Sequence, residues 1–302
     1  MSYRYQEITL RGKKGIEITG YEGSEKKLSV PAEIDGLPVI SVGKEAFTDA
    51  NKGLVEITLP ESVECIRAFA FYFCTDLHKL ILTDSVTDYY DGAIRTSSGV
   101  SEIDVTLYER NTELVHRIIE DSDRKMRVTF TFKDAGEEKL RLVFPAYNSN
   151  SIADPRAQTF HIRIEGSGFS YRECLRQDGL RIKEYDSLFR KAVADDTDLA
   201  IDIAVARLMY PNRLSTADEE AYRAHLERNI TRAVELSFLP ANEDWPDVLI
   251  GAKLLDEAAL DYALRLASEK GETELVSRLM DYRHEALSTP KQAALSLDDW
   301  EL

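Results

Sequence analysis

The residues best suited to ligate a metal or attack a substrate in this 302-residue chain are five histidines and three cysteines. The histidines, His78, His116, His161, His225 and His284, are scattered, and none stands in the HExxH spacing of a zinc site. His284-Glu285 lacks the second histidine such a site needs. His225, between Tyr222 and Leu226, reads as a hydrogen-bonded or solvated side chain on a helix flank. Cys65, Cys74 and Cys174 form no CxxC pair and no even-numbered framework, which predicts reduced thiols. No GxSxG elbow and no nucleophilic-cysteine signature occurs. Catalytic, metal and cofactor residues are accordingly none.

Gly166-Ser167-Gly168 stands between a strand-like and a helix-like run, where backbone amides can cradle a phosphate. The dinucleotide pattern wants a third glycine at 171, and the chain has Tyr171 there. A strand-to-helix turn is the better account. The acidic clusters Asp195-Asp196 with Asp198, Glu243-Asp244 and Asp298-Asp299 fall at expected helix starts or in the tail. A carboxylate at a helix start satisfies free amides and is worth about 0.5–2 kcal/mol as a cap. One stretch is richer in reactive types: residues 144–190 hold Tyr147, His161, Arg163, Tyr171, Arg172, Cys174 and Tyr185. An enzyme site at this junction is one alternative; side chains gluing two domains together are the preferred one.

The elements that must carry these residues show a stronger pattern. Between Leu54 and Val105 the chain repeats with a period of 23: Leu54, Leu77, Val100; Ile57, Leu80, Ile103; Leu59, Leu82, Val105. Val63 with Val86 and Ala70 with Ala93 add two columns. Looser copies run upstream through Leu28, Val30, Val39, Val42, Ala46 and Phe47. A short fixed period predicts a solenoid, whose units bury apolar surface against their neighbours. Residues 5–10 and 15–21 predict a hairpin around Arg11–Lys14, placed to shield the first repeat's edge. Outward positions Lys27, Glu56, Lys79 and Glu102 would set alternating charges side by side. The next outward column is Ser29, Thr58, Ile81 and Asp104, in which Ile81 is the apolar exception. Thr58, Ile81 and Asp104 are therefore the candidate interaction surface of the repeat.

The run "LVEITLPESVECIRAFAFYFCTDLHKLIL" resembles the BspA-type leucine-rich repeat. Pro31 and Pro60, Val42-Gly43, Ala46-Phe47, Ala70-Phe71 and Cys74-Thr75 match its pattern. The third full unit departs, with Thr83 for the proline, Tyr89-Tyr90 for isoleucine-glycine and Ala93-Ile94 for alanine-phenylalanine, as suits a terminal repeat. The resemblance implies a solenoid over residues 24–107. It also raises the alternative of an exported adhesin-like surface protein, because the family is best known for secreted members. The polar start, Met-Ser-Tyr-Arg-Tyr-Gln-Glu, carries no secretory apolar run, so the expectation is a cytoplasmic protein.

Residues 112–120 predict an amphipathic helix with Leu114, Val115, Ile118 and Ile119 on one side. Met126–Phe132, Lys139–Phe144 and Thr159–Glu165 predict a small antiparallel sheet, its 146–157 connection an exposed loop. From Ser170 the pattern is helical: Ile182–Ala194, Leu199–Tyr210 (buried nearly all round), a capping box at Ser215 or Thr216, and starts marked by Asn242–Asp244 with Pro246. "ALRLASEKGETELVSRLMDY", within residues 255–285, resembles the second half of an ankyrin repeat. The tail from 288 is acidic, and Trp300 is its candidate docking anchor.

The fold class expected is thus α+β: a hairpin cap (1–23), a leucine-rich-repeat solenoid (24–120), a small antiparallel β segment (125–168), a helical-repeat-like domain (169–287) and an acidic tail (288–302). The formal charge is −16, with neither half basic, which argues against a nucleic-acid partner or an anionic membrane surface. The expected function is a non-catalytic intracellular scaffold whose partner is another protein.

Overall fold

The computed structural model describes residues 2–48, 53–95, 97, 99–134, 136–154, 159–176 and 178–288. The chain divides into two compact units, residues 1–220 and 221–302, the division falling inside the helix Thr216–Arg228. The fold is α+β, a β-solenoid in the N-terminal region followed by helices.

Each turn of the solenoid feeds three faces. On the first, strands Lys27–Ser29, Glu56–Thr58, Lys79–Thr83, Glu102–Leu107 and Met126–Phe132 run parallel, and Glu138–Phe144 closes the far edge antiparallel. Here the 23-residue columns become contacts: Ile57, Leu80 and Ile103 are in register and buried. On the second face Leu37–Val42, Cys65–Ile66 and Asp88–Tyr89 are parallel neighbours. The third is a two-strand pair, Phe47–Thr48 with Phe71–Tyr72. Strands this short follow from three bends within 23 residues. The corner before Ala46, Ala70 and Ala93 has a left-handed backbone, with φ of 54° at Glu45, 57° at Phe69 and 83° at Gly92. Glycine adopts this conformation at no steric cost, whereas a side chain pays about 1–2 kcal/mol.

The N-terminal strands Ser2–Leu10 and Lys13–Glu22 form the expected hairpin, and its tip residues Arg11 and Gly12 both have positive φ, 51° and 82°. That is the turn whose twist matches paired strands, and glycine makes its second position easy. The hairpin lies beside Leu37–Val42, so it covers the edge of the second face; on the first face Lys27–Ser29 remains an edge, kept short and carrying a lysine. An aromatic ladder joins hairpin to solenoid: Tyr3 to Tyr21 at 5.4 Å, Tyr21 to Phe47 at 6.0 Å, Phe47 to Phe71 at 5.6 Å between ring centroids. The hairpin tip also reaches along the flank, where Arg11 donates to Thr87 and pairs with Asp88, both at 2.7 Å, and Lys13 pairs with Glu64 at 2.6 Å.

Glu17, on the hairpin, is buried and accepts hydrogen bonds from Ser41 (2.7 Å), Gln6 (2.9 Å) and Arg67 (3.1 Å). Burial alone would raise its pKa, but the three donors and the Arg67 charge together outweigh it and hold the carboxyl below the ordinary value of 4.5. The folded state therefore prefers the ionised form. Its stabilisation is complete above the unfolded carboxylate range and is lost as pH falls through the depressed folded value. Denaturant titrations at pH 7 and pH 3.5 should show a smaller pH-dependent loss of stability in Glu17→Gln than in the parent chain.

After the fourth turn the helix Glu113–Glu120 replaces the strand-rich half of a repeat and buries Leu114, Val115, Ile118 and Ile119 as the spacing predicted. Met126–Phe132 then differs from expectation. It pairs parallel with Glu102–Leu107 and extends the solenoid face, Val128 beside Ile103 and Phe130 beside Val105. Lys139–Phe144, within Glu138–Phe144, is its antiparallel partner, but Thr159–Glu165 leaves that sheet and pairs with Asn148–Asp154. The segment expected as a loop over 146–157 therefore contains a strand. Alternation fixes which face a strand buries, not which strand lies beside it, and a polar hairpin arm alternates weakly.

The helix Thr197–Met209 packs on Glu138–Phe144 and is buried on all sides from Ala200 to Arg207. Two charges go down with it. Asp202 accepts from Lys125 and Arg127, each at 2.8 Å, and Arg207 forms a two-pronged pair with Asp186 at 2.7 and 3.0 Å. Asp196 caps this helix through the Leu199 amide at 2.7 Å, and Ser215 caps the next through the Asp218 amide at 3.1 Å. In the second unit Ile230–Ser237, Trp245–Gly251, Glu257–Lys270 and Thr273–Ser288 pack around Leu226, Val234, Trp245, Leu249 and Leu260. The last two helices turn at Gly271.

Candidate interaction surfaces

Of the reactive types concentrated between 144 and 190, those with described side chains are engaged in packing. The Tyr185 hydroxyl donates to the Val143 carbonyl at 2.8 Å and accepts from the Val143 amide at 2.9 Å, and its ring meets Tyr171 at 4.7 Å. Arg172 lies over the Tyr147 ring at 4.8 Å and donates to the carbonyls of Pro145, Gly168, Ser122 and Arg124. Burial brings its pKa down to about 10, yet it stays charged at neutral pH. Cys174 is buried, and burial pushes its thiol up to about 11, the opposite of an activated nucleophile. The Ser167 amide donates to Asp195 at 2.5 Å, so the chain's own carboxylate occupies the turn where a phosphate was considered. His161 and Arg163 lie outside the described side chains. Among the described residues no group of three metal-ligating side chains forms, and no helix is long and apolar enough to cross a membrane.

The outward row of the first face is assembled by register: Ser29 beside Thr58, Thr58 beside Ile81, Ile81 beside Asp104, Asp104 beside Thr129. Thr58, Ile81 and Asp104 thus share one row, each half-buried. The charge row next to it pairs off. Lys27 meets Glu56 at 3.4 Å and Arg127 meets Glu102 at 3.7 Å, but Lys79 reaches diagonally to Asp104 at 2.6 Å. Asp104 is therefore half of an ion pair rather than a lone acid. Trp300 lies outside the described residues.

A second surface has no counterpart in the sequence expectations. On either side of the strand Phe71–Tyr72, Phe69 and Phe73 are both exposed, at 37% and 48%, and both left-handed, with φ of 57° and 54°. Tyr72 bridges them in edge contacts, 6.2 Å to Phe69 and 4.5 Å to Phe73. One corner further on, Gly92 lies against the Phe69 ring. Nearby Tyr90 is exposed and holds Arg67 over its ring at 5.4 Å. Bulky residues rarely accept this backbone conformation, and strain held in solvent-facing aromatics is a pointer to use. The signal was present in the sequence: aligned on the period, Phe69 falls in the column of Gly92. The left-handed corner makes a stability prediction. Phe69→Gly should be more stable than Phe69→Ala by about 1 kcal/mol, since both lose the ring but only alanine keeps the strain; thermal unfolding of the two variants checks it.

Residues 27–124 match the BspA type leucine rich repeat region in six copies. This stretch is similar to that repeat region. Its repeats take in the parallel strands of the first face to the edge of Met126–Phe132, so the match and the 23-residue columns describe the same solenoid. Two solved structures are similar over part of this chain. One is a leucine rich cell surface protein from Faecalibacterium prausnitzii, 24% identical, TM-score 0.28, over 38% of this chain and 32% of that one. The other is the T. pallidum leucine rich repeat protein, 22% identical, TM-score 0.23, over 33% of this chain and 68% of that one. The chain thus spans about a third of the first structure's length. No curated protein matches it.

Proposed function

We propose that this chain is a non-catalytic intracellular scaffold that binds another protein through its leucine-rich-repeat block, with Phe69, Tyr72 and Phe73 as the anchor. The single observation that carries the reading is the pair of exposed phenylalanines held at positive φ. Aromatic anchors of this kind dominate protein interfaces, and each contributes about 2 kcal/mol or more when fully covered. The row Thr58, Ile81 and Asp104 supplies a second, more polar contact strip. Three free, buried cysteines support a reducing compartment. The net charge of −16 favours a protein partner over a nucleic acid. The helical unit, whose Glu257–Lys270 and Thr273–Ser288 pair resembles half of an ankyrin repeat, provides a separate surface, and Trp300 a tail contact.

Affinity capture from cell extract tests the proposal, using the tagged full chain and a Phe69→Ser/Phe73→Ser variant of unchanged circular dichroism. A specific protein should be recovered with the parent chain and lost with the variant. Recovery of the same protein by both, or of no specific protein by either, overturns it.

A further inference from the structure

A cleft of about 540 Å³ in the first unit is lined by Arg110, Lys139 and Arg213 and by one carboxylate, Glu138. It continues into a tighter chamber of about 210 Å³ beside Phe132 and Ile182. Three cations against one carboxylate along this cleft run counter to the chain's net charge of −16. The cations are neutralised unequally: Arg110 has an acidic partner in Asp134 and Lys139 acts on Glu137. Lys139 sits over the Tyr210 ring at 5.9 Å, with Arg141 over the same ring at 5.7 Å, and aromatic faces hold a cation without cancelling its charge. Arg110 pairs with Asp134 and lies over Phe132 at 5.2 Å. Glu138 is taken by the Asn212 side-chain amide at 2.9 Å, and Asp178 by Arg181 at 2.6 Å. Among the described residues the exposed Arg213 guanidinium has no partner.

The cleft wall is built to keep this geometry. Buried Arg207, fixed by Asp186, also donates to the carbonyls of Tyr210 and Asn212 at 3.4 and 3.1 Å, which pins the loop that ends in Arg213. Arg110 and Arg213 are both left-handed, with φ of 57° and 52°, an unfavourable backbone state for arginine on each side of one cavity. A guanidinium whose donors are unused, as at Arg213, matches the oxygen pairs of carboxylate and phosphate groups.

We infer that the cleft between Arg110, Lys139 and Arg213 binds a small molecule carrying a carboxylate or phosphate group. Isothermal titration of the full-length protein with citrate and with inorganic phosphate tests this and separates the two chemistries. Saturable binding of at least one probe is expected, weakening as salt rises from about 50 to 500 mM, as a roughly threefold shorter Debye length requires. Arg213→Gln and Lys139→Gln should each weaken it about tenfold, the equivalent of one charge-assisted hydrogen bond. Arg213→Lys should retain part of it, and Arg95→Gln, remote from the cleft, should leave it unchanged. No saturable binding of either probe, or binding that both cleft variants leave intact, overturns the inference. The scaffold proposal fails or stands separately, because Phe69→Ser/Phe73→Ser leaves every residue of this cleft in place.

Discussion

Asp186→Ala should lower the unfolding free energy of the first unit by about 3–5 kcal/mol, a large share of the 5–15 kcal/mol typical of a whole domain. The Arg207 and Asp186 side chains are 0% and 1% exposed, and both guanidinium contacts to the carboxylate are direct. Removing the acid takes away the carboxylate that both guanidinium nitrogens contact and leaves the charge buried. The carbonyls of Tyr210 and Asn212 offset only a fraction of that cost. A well-packed apolar replacement of both partners, Asp186→Leu with Arg207→Met, should recover most of the loss, since the pair is expensive to break rather than valuable to own. Urea unfolding followed by circular dichroism distinguishes these outcomes; a loss under 1 kcal/mol for Asp186→Ala would contradict the buried pair. The same variant should weaken oxyanion binding, because the Tyr210–Arg213 loop loses its pin.

The second large effect is expected at Phe47. Phe47→Ala should cost about 3–5 kcal/mol, the range for a fully buried phenylalanine whose space cannot collapse. Phe47 is 0% exposed and stands between Tyr21 of the hairpin and Phe71 of the next turn. Each aromatic pair adds about 0.5–1.5 kcal/mol beyond area burial. Phe71→Ala should cost a similar amount, but the two changes together should cost less than their sum, because they share one contact. A thermal-melt double-mutant cycle reads this directly. Strict additivity would mean the rings pack independently.

The solenoid was legible because its period is a backbone constraint: a turn that bends three times returns Ile57, Leu80 and Ile103 to one line whatever lies outside. The amphipathic helix over 113–120 and the caps at Asp196 and Ser215 were legible for the same local reason. Strand partnership was not. Met126–Phe132 alternates as well beside a parallel neighbour as beside an antiparallel one. Four apolar residues among the last five of Glu138–Phe144, Leu140, Leu142, Val143 and Phe144, hint at burial on both faces only once a covering helix is known. The aromatic surface left a trace, a phenylalanine in a glycine column, which reads as drift until the corner's positive φ is seen. The cleft left none. Arg110, Lys139 and Arg213 are spread over a hundred residues and converge through tertiary folding alone.

The hairpin's strap has a consequence for how the chain comes into being. Arg11 is synthesised before its partners Thr87 and Asp88, which follow 76 and 77 residues later. At about 5–20 residues per second, the tip waits about 4–15 s for them on the ribosome. Two repeats can stack in that interval, but the brace across them cannot close. Nascent chains halted before Asp88 should therefore be cut by protease near the Arg11-Gly12 tip, and chains halted well beyond it should resist. A feature that looks like a cap on the finished molecule is, during synthesis, a latch that records when the third turn has arrived.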